Sequence, residues 1–311
     1  MAMSQAAHPQ PSQRARELVR GAYDLHVHSG PDVVKRRIDD IDLARRCAEV
    51  GLAGYLIKSH YVPTSARATL TRQAVPGVTV LGSVTLNALT GGMNPLTIEI
   101  AAREGARLVW FPTVDSVNER TRIGSVPREK LPFWALLQQQ LREQGMEAEP
   151  VAVVDSEGNL LPEARQVIRQ IAKHQMILAT GHLGRDEIFA VVDAAVEEGV
   201  KHIVVTHPDF PSQDLSPDDQ RALAEKGAFL ERCFTTPYTG KVSWEKMFEN
   251  VRAAGVASSF FSSDLGQPAN PPVEDGLALM ADMFLEGGFS EEEVYTMAVR
   301  NTITLATGVE S

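Results

Sequence analysis

The chain of 311 residues contains little cysteine, few aromatic residues and no long apolar run. Its two cysteines, Cys47 and Cys233, are too few for a disulfide framework, so we expect two buried thiols in a reducing, cytoplasmic compartment. No stretch approaches the ~18 uninterrupted apolar residues of a membrane-spanning helix. The opening residues lack the apolar core of a secretory signal, so residues 1–20 are expected to form a tail and a lead-in helix.

Positive charge is also scarce, because 30 Lys and Arg residues stand against 40 Asp and Glu residues, a formal net charge of −10. The resulting field repels phosphates, which argues against nucleic acid and membrane surfaces as partners. A hydrophobic share of 43% together with 23 glycines is typical of a globular protein with a buried core. We therefore expect a small molecule as the partner, and a homo-oligomer as the commonest assembly of a globular enzyme.

Eight short runs of apolar and β-branched residues recur along the chain, each followed by an amphipathic stretch. They begin at Tyr23, Ala53, Val78, Arg107, Met176, His202, Ala228 and Val256. All intervals but one are close to the ~30 residues of a strand-helix-strand unit. Eight such units in residues 21–311 predict an α/β fold, a single (β/α)8 TIM barrel. The alternative, an open doubly wound sheet, lacks its glycine-rich turn after the first strand.

The exceptional interval lies between the fourth and fifth predicted strands and is about 69 residues long. It contains a predicted helix from Arg128 to Glu143 and a predicted tight turn at residues 156–159 between two short strands. We interpret this segment as a small insertion between strands 4 and 5.

Polar residues of similar chemistry gather where the predicted strands end. His26 and His28 lie two residues apart on the first strand, so both imidazoles project to the same face. The other members of the group are Lys58, His60, His182, His207 and Asp264. Because a barrel brings the carboxyl ends of its strands into one ring, we expect these side chains to converge.

Imidazole and carboxylate together are ligands for Zn²⁺, our first expectation, and for Mn²⁺, Fe²⁺ or Ni²⁺. An open coordination position makes a bound water acidic enough to act as a nucleophile near neutral pH. Asp264 would accept the proton of that water and return it to the leaving group. Taken singly, a strand-end histidine can simply make a hydrogen bond, and Asp264 can cap a helix.

The arrangement resembles the amidohydrolase superfamily of metal-dependent barrel hydrolases, from about Tyr23 to the closing RNTITLATG. The resemblance rests on His26-Val-His28 on the first strand, ATGH after the fifth, VTHP after the sixth and SSD after the eighth. It implies that His26, His28 and Asp264 bind the more buried metal ion. By the same resemblance, His182 and His207 hold a second metal ion or the substrate.

One departure from the superfamily concerns the ligand that bridges two metal ions. Binuclear members carry a carboxylated lysine or a glutamate at the end of the fourth strand, but here that strand reads RLVWFPTVD. Lys58, after the second strand, is either a carboxylated bridge or a free cation that holds a substrate anion. His60 is expected beside it as a ligand or a proton donor. The number of metal ions, one or two, stays open.

Candidates for substrate contact surround the predicted ring. Arg36 and Arg37 in the first loop suit carboxylate or phosphate, although the same residues could form a solvated basic turn. Glu231 on the seventh strand is expected to point inward, beside a metal ion or a cation. Asn270 and Asp209 lie on the eighth and sixth loops, where turn chemistry is the competing explanation.

The predicted function is a metal-dependent hydrolase, in which a metal-activated water attacks the carbonyl carbon of an amide, lactam, lactone or ester. The substrate is expected to be small, and the basic loop suits an anionic one. The alternatives are a metal-dependent decarboxylase of a small carboxylic acid, a phosphoesterase and a non-catalytic scaffold. The scaffold is disfavoured because an inactive homologue is expected to lose ligands. The identity of the substrate is not encoded in a readable motif, since loops set specificity in this architecture.

Overall fold

The computed structural model describes residues 8–213 and 215–309. Eight parallel strands form one sheet in which neighbours follow chain order. The strands are β1 Tyr23–Val27, β2 Gly54–Ile57, β3 Thr79–Thr85, β4 Ala106–Trp110, β5 Ile177–Ala179, β6 Ile203–Val205, β7 Phe229–Cys233 and β8 Ser259–Ser262. Each strand coincides with one of the eight apolar runs, although β4 starts one residue before its run, so the predicted (β/α)8 barrel is confirmed.

Helices connect the strands and form the outer layer of the barrel. They are α1 Gln13–Leu18, α2 Asp40–Val50, α3 Ser65–Ala74, α4 Pro95–Arg103, α5 Val117–Gly124, α6 Phe133–Glu143, α7 Pro162–Lys173, α8 Arg185–Glu197, α9 Pro217–Glu225, α10 Thr235–Tyr238, α11 Trp244–Ala254, α12 Gly276–Glu286, α13 Glu291–Tyr295 and α14 Asn301–Thr307. Short 3₁₀ turns lie at Ala88–Thr90, Arg128–Lys130, Val256–Ser258 and Val273–Asp275, and a π-helical turn at Thr296–Arg300 leads into α14. Within the described residues, no helix has both the length and the apolarity to cross a bilayer.

The lead-in segment before β1 is described from residue 8 onward. Helix α1 begins after Ser12, whose hydroxyl accepts a hydrogen bond from the backbone N–H of Ala15 and so caps the helix. Residues 1–7 of the predicted tail lie outside the described residues.

The insertion between β4 and β5 contains α5, a 3₁₀ turn, α6 and α7. The prediction of one continuous helix from Arg128 to Glu143 is wrong, because α6 starts only after Pro132. Proline has no backbone N–H and disfavours helical geometry in the residue before it. The predicted tight turn is present, since Val154 and Leu160 form an antiparallel bridge around Gly158, whose φ is +86°.

Apolar side chains fill the barrel interior and close one end of it. The interior cluster includes Leu25, Leu56, Trp110 and Phe260, all buried. Leu305 and Ala306 of α14 belong to the same cluster, and Thr302 of α14 accepts a hydrogen bond from the backbone N–H at the start of β1. Helix α14 therefore covers the amino ends of the strands, which leaves the carboxyl ends for a site.

The barrel closes between β1 and β8 at that carboxyl end. The backbone N–H of Asp264 donates to the carbonyl of His26 at 2.9 Å, and the N–H of His28 donates to the carbonyl of Leu265 at 2.8 Å. Gly266 follows, and a Cβ added there would lie 1.6 Å from the carbonyl oxygen of His28. Only glycine allows this approach. The seam thus makes the two histidines and Asp264 hydrogen-bonded neighbours through the backbone.

Candidate metal centre

A cavity of about 230 Å³ opens at the carboxyl ends of the strands. Its wall includes eight of the residues singled out in the sequence, namely His28, Arg36, Lys58, His60, His182, His207, Asp264 and Asn270. His26 is fully buried next to this wall, and the centroid of its ring lies 5.4 Å from that of His28. Segments spread over most of the chain therefore meet at one place.

Three ligand-type atoms converge at the floor of this cavity. Asp264 Oδ1 lies 3.3 Å from His26 Nε2 and 3.2 Å from His28 Nε2. Two ligands bound at about 2.1 Å to one ion are separated by roughly 3.0–3.4 Å when the geometry is octahedral or tetrahedral. The two distances to Asp264 Oδ1 match that spacing, and all three atoms lie within 4.8 Å of one another, so the group could hold a single divalent transition-metal ion.

Glu231 determines which nitrogen of His26 is free. The Nδ1–H of His26 donates to Glu231 Oε1 at 3.1 Å, which leaves the lone pair on Nε2, facing Asp264. Glu231 also accepts hydrogen bonds from the Ser262 hydroxyl at 2.9 Å and from the backbone N–H of His207 at 3.1 Å. Burial alone would raise the pKa of Glu231, but the surrounding His26, His207 and Lys58 lower it to about 2.

This position corrects the prediction for Glu231. The side chain is 0% exposed, lies behind His26 and does not line the cavity. Its role in the structure is to orient His26 and the loop of His207, so a direct contact with substrate is not available to it. The alternation along β7 indicated an inward-facing carboxylate, but the partner of that carboxylate depends on packing.

The other side of His26 offers a poorer group of ligands. Glu231 and Cys233 could bind a metal ion together with His26 Nδ1, from which the Cys233 sulfur is 3.8 Å away. Burial raises the pKa of the Cys233 thiol well above its usual value, and on this side the His26 Nδ1–H already donates to Glu231 at 3.1 Å. The Nε2 side is therefore the better candidate.

Arg36 lines the cavity and forms an ion pair with Asp32. Its Nε and Nη2 lie 2.7 and 2.6 Å from Asp32 Oδ2, and Nη2 is also 3.3 Å from His28 Nδ1. Burial and the charge of Arg36 lower the pKa of His28 to about 3, so this imidazole is neutral. Because guanidinium only donates, His28 Nδ1 accepts here. Binding of a cation at Nε2 requires the ring proton on Nδ1, and hence a shift of Arg36.

Arg37 points elsewhere. Its guanidinium donates to the carbonyl oxygens of Pro268 at 3.1 Å and Asn270 at 2.8 Å, and it does not line the cavity. The predicted substrate contact of Arg37 is therefore corrected to a brace between the first and eighth loops. Asn270 does line the cavity, and its amide donates to Gln267 Oε1 at 2.8 Å.

Lys58 is almost completely buried beside the convergent histidines. Its Nζ lies 3.0 Å from His26 Nε2 and 4.2 Å from the ring centroid of Trp110. Burial lowers the pKa of Lys58, although the Asp264 and Glu231 carboxylates act in the opposite direction. A neutral amine is the form that carbon dioxide carboxylates, whereas a protonated one would attract an anion. Both roles of Lys58 stay predictions.

His182 and His207 face each other across the cavity, with ring centroids 4.9 Å apart. The Nδ1 atom of each is buried without a hydrogen-bond partner among the described residues. Buried nitrogens without a hydrogen bond are rare in native structures. The predicted roles of His182 and His207, as ligands of a second metal ion or of the substrate, stay predictions.

Glu119 is a candidate that sequence reasoning missed. It lies on α5 of the insertion, is buried, and its Oε2 is 3.7 Å from His182 Nδ1. Neither atom has a hydrogen-bond partner among the described residues. A small approach of the two would fix the proton of His182 on Nδ1, as Glu231 does for His26. No local motif marks Glu119, since the insertion carries it to the site.

His207 and Asp264 have an unusual backbone conformation. Their φ angles are +26° and +53°, in the left-handed region that non-glycine residues seldom occupy. Strained residues of this kind cluster at functional sites, where the surrounding structure holds them in place. Here the seam hydrogen bond to Asp264 and the Glu231 bond to His207 do so.

Lys241 is a second residue that the sequence did not reveal. It lies in the loop between α10 and α11, lines the cavity, and its Nζ stands 4.5 Å from the ring centroid of Phe210. With Arg36 and Lys58 it gives the wall three basic side chains against the one carboxylate of Asp264. Basic side chains therefore outnumber acidic ones in the wall of this cavity, in a chain whose net charge is −10.

Asp209 plays a structural part instead of forming a simple turn. Its carboxylate is buried, and both carboxylate oxygens accept hydrogen bonds from Arg232 Nη1 at 3.0 Å. Asn250 Nδ2 donates to the same carboxylate at 2.6 Å. The competing explanation of turn chemistry is thus replaced by a buried ion pair that anchors the sixth loop against β7.

Comparison with solved structures identifies the class of fold. The barrel is similar to the "probable dipeptidase PvdM from Pseudomonas aeruginosa", with a TM-score of 0.64, 11% identity and coverage of 94% of this chain and 96% of that chain. It is also similar to a dipeptidase AC, with a TM-score of 0.62, 11% identity and coverage of 92% of this chain and 98% of that chain. An amidohydrolase from Pseudomonas aeruginosa gives a TM-score of 0.58, 11% identity and coverage of 94% of this chain and 97% of that chain. The fold is thus the barrel that these structures share, which agrees with the fold that the resemblance implied.

Comparison at the level of sequence identifies one family. Residues 21–231 match a family described as "Family of unknown function (DUF6282)", and the chain belongs to that family. No curated protein matches the chain.

Proposed function

We propose that this chain is a metal-dependent hydrolase that cleaves an amide, lactam, lactone or ester bond in a small anionic molecule. The observation that carries the proposal is the convergence of His26 Nε2, His28 Nε2 and Asp264 Oδ1, with separations of 3.2 and 3.3 Å from the carboxylate oxygen. Sharing a barrel with structures named dipeptidase and amidohydrolase supports the choice of hydrolysis. A divalent transition-metal ion, Zn²⁺ by preference, would supply Lewis acidity there and lower the pKa of water.

Asp264 is the proposed base. Its Oδ2 accepts a hydrogen bond from the Thr235 hydroxyl at 2.9 Å, which holds Oδ1 toward the two histidines. His26, His28 and Lys58 lower the pKa of Asp264 well below its usual value although burial acts in the opposite direction, so the group is an ionised carboxylate. In that form it can accept a proton from the attacking water and pass it to the leaving group.

The cations of the wall are proposed to select the substrate. Arg36, Lys58 and Lys241 line the same cavity, and the apolar side chains of Val34, Trp134 and Phe210 complete it. A small molecule with a carboxylate and an apolar or planar body matches this lining, because the carboxylate meets cations and the body displaces water.

A decarboxylase is the second candidate, and the same excess of cations favours it. A carboxylic acid held by these cations beside an electrophilic centre could lose carbon dioxide instead of gaining water. Oxygen-18 water distinguishes the two reactions for any compound that the protein converts. Label in the organic product supports hydrolysis, whereas an unlabelled product one carboxyl group shorter supports decarboxylation.

Elemental analysis tests the metal centre without knowledge of the substrate. Protein purified without a tag and without added metal is expected to contain about one or two transition-metal ions per chain. His26→Ala should lose them, and His174→Ala should not, because His174 is paired with Glu99 at the surface, outside the cavity. Wild-type protein without metal, or His26→Ala with its metal content unchanged, would contradict the proposal. Light scattering will test the predicted homo-oligomer.

A further inference from the structure

The side chain of Asn87 has an unambiguous orientation beneath His60. Its Oδ1 accepts hydrogen bonds from the backbone N–H groups of Thr113 at 2.8 Å and Asp115 at 3.3 Å. Its Nδ2 donates to the backbone carbonyl of His60 and to Thr113 Oγ1, both at 2.8 Å. The reversed amide would place donors against donors and an oxygen against a carbonyl oxygen. Asn87 therefore donates to the Thr113 hydroxyl.

That donation determines where the hydroxyl proton of Thr113 goes. Thr113 is fully buried, and its Oγ1 lies 2.9 Å from His60 Nδ1. Among the described residues, His60 Nδ1 is the acceptor available to this hydroxyl. If Nδ1 carried a proton, Thr113 would accept two hydrogen bonds and keep its own proton buried without a partner, which is unfavourable. Thr113 therefore donates to His60 Nδ1.

From these contacts we infer that His60 presents Nε2–H to the cavity as a hydrogen-bond donor and does not bind the metal ion. A neutral imidazole whose Nδ1 accepts a hydrogen bond carries its proton on Nε2, and that nitrogen has no lone pair for a cation. His60 lines the cavity, and its ring lies 5.2 Å from that of His28 and 5.8 Å from that of His182. Asn87 and Thr113 are the positioning residues of this donor.

The arrangement is the opposite of that at His26, where a carboxylate takes the Nδ1 proton and frees Nε2. The partner of Nδ1 thus separates a ligand from a donor among histidines of one site. The acceptor for His60 rests on the proposed function, under which it is an oxygen of the substrate: the carbonyl oxygen, the leaving group or a carboxylate. The assignment of the donor itself does not depend on turnover.

Nitrogen-15 NMR of the histidine rings tests the inference directly. In protein labelled with ¹⁵N-histidine, the His60 signals, assigned by their loss in His60→Gln, should show a protonated Nε2 and an unprotonated Nδ1. Addition of Zn²⁺, and of ¹¹³Cd²⁺ for spin coupling, should shift the His26 signals and leave this pattern for His60 unchanged. A His60 nitrogen coupled to ¹¹³Cd would overturn the inference, as would protonation at Nδ1.

Two variants test the relay and the metal separately. Thr113→Val removes the hydroxyl with little change in shape, so the Nδ1–H form of His60 should gain population, whereas Thr113→Ser should retain the wild-type pattern. His60→Gln should bind as much Zn²⁺ as the wild type. An unaltered tautomer in Thr113→Val, or a lower Zn²⁺ stoichiometry in His60→Gln, would contradict the inference. Failure of catalysis alone would bear only on the proposed function.

Discussion

The substitution Glu231→Gln removes the buried carboxylate that orients His26 while nearly preserving its shape. The carboxylate accepts hydrogen bonds from His26 Nδ1, the Ser262 hydroxyl and the backbone N–H of His207. Glutamine has a single oxygen, and its NH2 group can only donate. At least one of the three donors must therefore face another donor, or His26 must move its proton to Nε2.

The size of the effect follows from this mismatch. A buried donor left without its acceptor costs about 1–3 kcal/mol. If His26 relieves the mismatch by shifting its proton, the lone pair at Nε2 is lost and the same free energy appears as weaker metal binding. Loss of a residue that orients a histidine ligand lowers metal affinity by about 10- to 100-fold, in agreement with that cost. We expect Glu231→Gln to weaken Zn²⁺ binding by this factor.

Competition with a chromophoric chelator for Zn²⁺ measures the change at constant pH. Ser262→Ala is the matched control, because it removes one donor to Glu231 and leaves both carboxylate oxygens for His26 and His207. Its Zn²⁺ affinity should stay close to that of the wild type. If Glu231→Gln also binds Zn²⁺ as tightly as the wild type, Glu231 does not set the tautomer of His26 and the reasoning is refuted.

Three further predictions follow from the site and the seam. Asp264→Asn should retain the fold, as judged by circular dichroism, and lose ~10²-fold or more in turnover, so near-normal turnover would remove Asp264 from its role as base. Gly266→Ala should lower the free energy of unfolding by more than the control Gly199→Ala. At position 199 the positive φ costs an alanine about 1–2 kcal/mol, but the added Cβ meets no atom within 4 Å. Equal losses would show that the β1–β8 seam tolerates a side chain. Arg232→Met leaves the buried Asp209 uncompensated and should cost about 3–5 kcal/mol in urea unfolding. A loss below ~1 kcal/mol, as for an exposed pair, would contradict the importance of this ion pair.

The residues of the site differ in how visible they are in the sequence. The spacing of His26 and His28 predicts that both side chains project to one face of β1, because side chains alternate along a strand. Asp264 could be predicted at the site because it directly follows the last apolar run. Glu119 and Lys241 could not be found, because each lies on a connection whose path over the barrel is set by packing. Arg36 and Arg37 are adjacent in sequence, yet Arg36 reaches the cavity through Asp32 and Arg37 binds the eighth loop. The metal-binding and substrate-binding roles of the residues that line the cavity stay predictions for experiment.

Patterns within the chain were sufficient for the number and order of the strands, since β-branched runs and amphipathic helices are local consequences of side-chain chemistry. They also placed imidazoles at the strand ends. Tertiary structure alone decided which nitrogen of each imidazole carries the proton, because that depends on Glu231 behind His26, Arg36 beside His28 and Thr113 behind His60. Glu231 and Thr113 are remote in sequence from the histidines that they contact, whereas Arg36 lies only eight residues after His28 and meets it through the fold of the first loop. A hydrogen bond of about 3 Å leaves no periodic trace in the amino-acid order.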